Sequence, residues 1–104
     1  MSQILVIGAG KSGVAAANFL TARGERVTLC DAKAEPDLPM PLHNRVARAF
    51  GRDDAGLLEG VREIILSPGV PLTIPLLQRA KELGIPVVGE IELGHRYLQA
   101  PSSP

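Results

Sequence analysis

The chain has 104 residues, enough for one domain with a real core. Its 11 Lys and Arg balance its 11 Asp and Glu, which excludes generic nucleic-acid binding, a function that demands a basic excess. A lone cysteine, Cys30, rules out an intramolecular disulfide and suits a reducing, cytoplasmic setting; the N-terminus lacks the basic head of a signal peptide, and no apolar run approaches the ~18–20 residues of a membrane span.

Residues 4–7, ILVI, are continuously apolar, as a strand buried on both faces must be. Gly8-Ala9-Gly10-Lys11-Ser12-Gly13 follows, with the G-x-G-x-x-G spacing of a nucleotide-binding turn between strand and helix. Gly8 permits the tight turn, Gly10 lets backbone approach phosphate, and Gly13 lets the helix pack against the strand. The helix start offers unpaired N–H groups and a positive dipole end to an anion. Ser12 is expected to cap a helix over residues 13–22, with Val14, Ala17, Phe19 and Leu20 inward and Arg23-Gly24 as its stop. A Walker phosphate loop ending in Gly10-Lys11-Ser12 is excluded, because its first glycine would fall at Leu5.

Residues 27–30, VTLC, make a second strand that ends on Asp31, giving a right-handed βαβ unit. Asp31 lies 18 positions beyond Gly13, near the ~20 at which nucleotide-binding folds place an acidic residue beside the ligand. Pro36, Pro39 and Pro41 mark a loop. Residues 46–50 read as a short edge strand or as a helical turn, the strand being preferred, and Asp53 can cap a brief helix through Leu58. Residues 62–66 form another strand, broken by Ser67-Pro68-Gly69-Val70-Pro71. Thr73 is expected to cap a helix with Pro75 in its first turn and Leu76, Leu77, Ala80 and Leu83 as its buried stripe, ending at Gly84. Residues 85–88 supply a last strand and 90–98 a last helix, and residues 100–104 read as a tail or linker.

Strands alternating with helices predict an α/β, Rossmann-like, doubly wound sheet of five parallel strands in the order 3-2-1-4-5. Ligands bind outside the carboxyl ends of the strands where the winding reverses. The glycine loop, Asp31 and the Ser67–Gly69 turn all belong to that end. The plainer readings are that Ser67 bonds its own turn, that Cys30 is a small buried strand residue, and that His43 and His95 are surface or helix-end residues. Glu90 and Glu92, two apart, do not form a catalytic pair on a helix. No catalytic triad or metal-ligand spacing is visible.

The set ILVIGAGKSG, Asp31, ILSPGVP at residues 65–71 and GIPVVGEIELGHR at residues 84–96 resembles the N-terminal domain of the Mur ligases. Within that family it is most similar to the members that add D-glutamate to UDP-N-acetylmuramoyl-L-alanine. The resemblance covers essentially the whole chain. It implies a UDP-binding domain over residues 1–99, followed by a linker to a central ATPase domain and a third domain that the 104 residues do not include. Carried over by position, it implies that Gly10, Lys11, Ser12 and Gly13 lie against the diphosphate. Asp31, Ala32 and Lys33 would sit beside the uracil, with Ser67, Pro68 and Gly69 close to the uridine end. It implies no catalytic residue, cofactor or metal in this domain; ATP and magnesium belong to the complete ligase, which makes an acyl phosphate of the substrate carboxylate for D-glutamate to attack. Ala32 and Lys33 depart from members that carry a hydroxyl and an arginine there, which implies a different set of base contacts. The residues alone also admit an NAD(P)-binding domain of a dehydrogenase or redox-sensing module, in which Asp31 would hold ribose hydroxyls. The Ser67–Pro71 and Glu90–Leu93 segments argue against it.

Overall fold

The computed structural model describes residues 2–52, 54–89 and 92–94. Five strands, β1 (Gln3–Ile7), β2 (Val27–Asp31), β3 (Ala47–Phe50), β4 (Val61–Leu66) and β5 (Val87–Gly89), form one sheet. Its order is β3-β2-β1-β4-β5 and every pairing is parallel, as predicted. The edge strand preferred over a helical turn at residues 46–50 is present as β3. The helices are α1 (Lys11–Ala22) and α2 (Pro75–Glu82), with a 3-10 turn at Ala55–Leu58.

The sheet is covered on both faces, and the central strand shows why its apolar run is unbroken. Ile4 and Val6 pack with Val14, Ala17 and Leu20 of α1. Leu5 and Ile7 face the other way, onto Leu57, Leu58 and Leu76, Leu77 and Ala80 of α2. Alternate residues of one strand thus enter two separate cores. Leu5, Val6, Leu29 and Ile64 are wholly buried, each contributing about 1.5–3 kcal/mol by leaving water.

Several local expectations are corrected. Ser12 does not cap α1: Gly10 does, in extended conformation and without a side-chain hydrogen bond, and the helix starts at Lys11. Phe19 is not inward but 42% exposed, because the buried stripe runs through Gly13, Val14, Ala17, Leu20 and Thr21. Its ring instead lies 5.7 Å from the Arg23 guanidinium. Thr73 does not cap α2, whose cap is Ile74. Proline fixes φ at the first helical position, so Pro75 sets the start. Leu83, past the end of α2, is 52% exposed rather than buried. The cap of the 3-10 turn is Asp54, which accepts from the Gly56 N–H; Asp53 lies outside the described residues. So do Glu90, His95 and residues 100–104; of the helix predicted over 90–98, residues 92–94 are described and are helical.

Asn18 of α1 hydrogen-bonds the long connection between β2 and β3 at two points. The Asn18 amide donates to the Pro41 carbonyl (2.8 Å) and accepts from the His43 N–H (2.7 Å). Leu38, Met40 and Leu42 then pack against the α1 core.

Candidate functional site

Register brings the site together. Ile7 of β1 stands beside Cys30 of β2 and Leu66 of β4, Asp31 stands beside Phe50 of β3, and Leu66 stands beside Gly89 of β5. The carboxyl ends of all five strands are therefore aligned, and the loops that follow them become neighbours.

The glycine loop is built from three different requirements. Gly8 has φ +102, a backbone conformation that an L side chain rarely adopts. A Cβ on Gly13 would strike the Gly8 carbonyl oxygen and lie 2.9 Å from Ser67 Oγ, so α1 rests directly on the loop that precedes it. Gly10 is the opposite case: a Cβ there would meet nothing within 4 Å. The Gly10 carbonyl accepts from the Val14 N–H (2.9 Å), the first bond of the helix. No described residue accepts from the N–H groups of Lys11, Ser12 or Gly13, which leaves three donors at a positive helix end.

Asp31 ties two loops. Its Oδ2 accepts from the Ala9 N–H (2.8 Å) and its Oδ1 from the Lys33 N–H (2.8 Å). Its own carbonyl accepts from Gly51 (2.8 Å), the residue after β3. Each carboxylate oxygen retains a lone pair for a further donor. Ser67 makes the matching tie from the other side. It is buried, and its hydroxyl donates to the Gly8 carbonyl (3.2 Å) rather than bonding its own turn, although its carbonyl does accept from Val70 (3.1 Å).

Between these ties lies a crevice of about 270 Å³ lined by Ile7, Gly8, Cys30, Asp31, Ala32 and Arg52 and closed by residues 69–71 and 74–76. Of the residues predicted for the site, Asp31, Ala32 and Gly69 line it. Gly10, Lys11, Ser12 and Gly13 form the neighbouring helix start. Ser67 and Pro68 line a second hollow of about 280 Å³ with Gly89 and Glu92, and Lys33 is exposed beside Asp31. The volume decides what the crevice can take. It is slightly below the roughly 300 Å³ at which drug-sized pockets begin, which is room for one ring system with the rest of a ligand outside.

Sequence reasoning missed the far wall. Val70, Pro71, Ile74, Pro75 and Leu76 supply apolar surface, and Arg52 supplies a cation. Arg52 donates from Nε and Nη2 to the two Asp54 carboxylate oxygens (2.9 and 3.0 Å). Those hydrogen bonds hold the exposed Asp54 carboxyl below the ordinary carboxylate range and raise the guanidinium above its usual value. A signal was available: Arg52 follows β3, and the residues after parallel strands are where such sheets place ligand contacts. Among the described residues no group of three or more His, Cys, Asp or Glu side chains could hold a metal ion, and no helix is long and apolar enough to cross a membrane.

Comparison with known proteins places this architecture. The family described as Mur ligase MurD-like, N-terminal domain, matches residues 2–89. Relatives named UDP-N-acetylmuramoylalanine–D-glutamate ligase, from Pelobacter propionicus and Acinetobacter baylyi, are 43% and 41% identical over 95% and 93% of the chain. The matches cover 23% and 22% of those relatives, so the chain spans less than a quarter of their length. Among solved structures, UDP-N-acetylmuramate-alanine ligase MurC from Thermotoga maritima aligns with a TM-score of 0.73 at 17% identity, over 95% of this chain and 23% of that one, a likeness of fold. TunA, an NAD-dependent NDP-hexosamine 5,6-dehydratase involved in tunicamycin biosynthesis, aligns with a TM-score of 0.63 at 25% identity, over 86% of this chain and 36% of that one.

Proposed function

We propose, from the premise that the chain belongs to the MurD-like N-terminal domains of the Mur ligases, that it holds the UDP end of UDP-N-acetylmuramoyl-L-alanine. The ligase in question is one that adds D-glutamate in the cytoplasm. The observation that carries this reading is the pairing of a ring-sized crevice at Asp31 with an open helix start at residues 11–13. The base enters the crevice, where the remaining lone pairs of the Asp31 carboxylate accept its N–H. The diphosphate lies over Gly10 and receives the N–H groups of Lys11, Ser12 and Gly13, with the Lys11 ammonium as a further cation. Ala32 and Lys33 flank the base, and Ser67, Pro68 and Gly69 hold the turn against the glycine loop.

No bond is made or broken by these residues. Their contribution is remote binding energy and orientation, which a ligase uses to place the distant carboxylate. ATP and magnesium act in the other domains of the ligase, where the carboxylate becomes an acyl phosphate. The 104-residue chain by itself is therefore expected to have no ligase activity.

A titration tests the assignment. UDP is expected to bind saturably and NADH not to bind; NADH binding without UDP binding would transfer the site to the dinucleotide class that TunA's description names.

A further inference from the structure

The crevice has a charged lip for which the site as proposed gives no task. Arg52 supplies the one cationic side chain among the lining residues, and Asp31 the one anionic side chain. Arg52 is also anchored. Asp54 holds Nε and Nη2, while Asp54 Oδ2 is itself fixed by the Gly56 N–H (3.1 Å) at the start of the 3-10 turn. That turn is rooted in the α2-side core through buried Leu57 and Leu58. A guanidinium carries five N–H donors. The Asp54 pair uses one on Nε and one on Nη2, and no described residue accepts from Nη1.

Resting on the reading above, we propose that Arg52 is a specificity-determining residue that donates from Nη1 to a carbonyl oxygen of the bound pyrimidine, with Asp54 as its positioning residue. Three observations select the base over the phosphates. The crevice that Arg52 lines has room for one ring system and mostly apolar walls at Ile7, Val70, Ile74 and Leu76. The open donors suited to phosphate belong to Lys11, Ser12 and Gly13, none of which lines that crevice. The chemistry also matches: the uracil edge presents an N–H between two carbonyls, and the crevice offers one carboxylate acceptor at Asp31 and one fixed donor at Arg52. A guanidinium held by a carboxylate loses little freedom on binding, so its hydrogen bond is delivered at low entropic cost.

The test is a pair of NMR titrations of the 104-residue chain, one with UDP and one with inorganic pyrophosphate. Arg52→Ala is expected to weaken UDP about tenfold or more, the weight of a hydrogen bond from a charged group, and to leave pyrophosphate affinity unchanged. Asp54→Ala should weaken UDP by a smaller factor, since the donor remains but is no longer aimed. Arg52→Lys keeps the charge and loses the fork, so it should also weaken UDP alone; it carries the test if the alanine variant does not fold. An unchanged UDP affinity overturns the proposal, and equal weakening of UDP and pyrophosphate overturns it by moving Arg52 to the phosphates. Wild-type protein that binds pyrophosphate or NADH but not UDP removes the uridine reading itself, a result distinct from either.

Discussion

Two strand-to-helix connections leave the same edge of the sheet, and they are built in opposite ways. Between β1 and α1 the chain spends only residues 8–10, and the helix begins at Lys11. Between β4 and α2 it spends residues 67–74. The short connection brings Gly13 against Gly8 and leaves three N–H groups open at the helix start. The long one starts its helix with Pro75, which has no N–H, and the Leu77 and Gln78 N–H groups both turn back to the Ile74 carbonyl (3.1 and 3.2 Å). The first helix end therefore presents three N–H groups that no described residue accepts from, whereas the second turns two of its N–H groups back on its own cap and contributes apolar wall. A doubly wound sheet offers both connections at its switch point, and loop length and first-turn chemistry decide which one faces charge.

Two glycines of the same motif, Gly13 and Gly10, carry opposite loads. Gly13→Val is expected to destabilise the fold by about 3 kcal/mol, the upper range for overpacking, since the obstructing atoms are backbone of Gly8 rather than a movable side chain. Gly10→Val, three positions away, meets only open space and should cost about 1 kcal/mol as a poorer helix cap. Its effect should fall on the ligand: UDP or pyrophosphate binding should be lost because the branched side chain occupies the proposed phosphate approach. Urea unfolding and calorimetry on both variants separate the roles. Equal stability for the two would mean that the helix does not rest on the loop.

Asp31→Ala comes next. It removes two hydrogen bonds to a carboxylate, Ala9 and Lys33 being the donors, and should cost about 2 kcal/mol of stability on the scale of charged hydrogen bonds at a half-exposed site. UDP binding should weaken as well. Asp31→Asn, which can still accept one of the two bonds, should recover part of the stability. Chemical denaturation that finds Asp31→Ala as stable as the parent would reduce Asp31 to a ligand contact alone.

Much of this arrangement was legible from the residues, and what was not has local causes. The apolar run at Ile4–Ile7 and the Gly8–Gly13 spacing are strong because one enforces burial on two faces and the other enforces a backbone path. Strand order followed from the reversal of winding. The caps were misread for a reason visible in the packing. Helix α1 must begin at Lys11 for Gly13 to meet Gly8, and α2 must begin at Pro75 because its ring fixes φ, so Ser12 and Thr73 stand where no capping residue is needed. Phe19 was placed inward by hydrophobicity alone; neighbouring stripe positions are filled by small residues, and its ring pairs with Arg23 instead. Arg52 was missed for another reason. Its place after β3, beside β2 in the predicted order, was the available signal, but no motif among its neighbours singled it out.

Ser67→Ala should have a moderate effect. It deletes the bond to the Gly8 carbonyl (3.2 Å), and about 1 kcal/mol is expected from a neutral hydrogen bond. The glycine loop would then keep its ties to β2, from the Gly8 N–H to the Cys30 carbonyl and from the Ala9 N–H to Asp31, but lose its tie to β4, and hydrogen exchange at Gly8 and Ala9 should speed up. Unchanged exchange at those amides would show that the tie does not hold the loop.

The smallest expected effect tests the anchored lip of the crevice. Arg52 holds the Asp54 carboxyl below the ordinary carboxylate range chiefly through the hydrogen bonds it donates. A depressed folded-state value means that the pair's contribution is present above the unfolded carboxylate value, ~3.9, and fades as pH falls through the lower folded value. Both side chains are more than half exposed, so solvent and salt screen the pair and the change in stability is slight. The titration itself is the informative quantity. Carbon-detected NMR should find the Asp54 carboxyl titrating below the ordinary carboxylate value, and Arg52→Ala should raise it part of the way back, since the Gly56 N–H still donates to it. If Asp54 already titrates normally in the parent chain, Arg52 is not held. The crevice would then have a mobile cation at its rim, and the proposed base would lose its fixed donor while keeping the Asp31 carboxylate and the apolar wall.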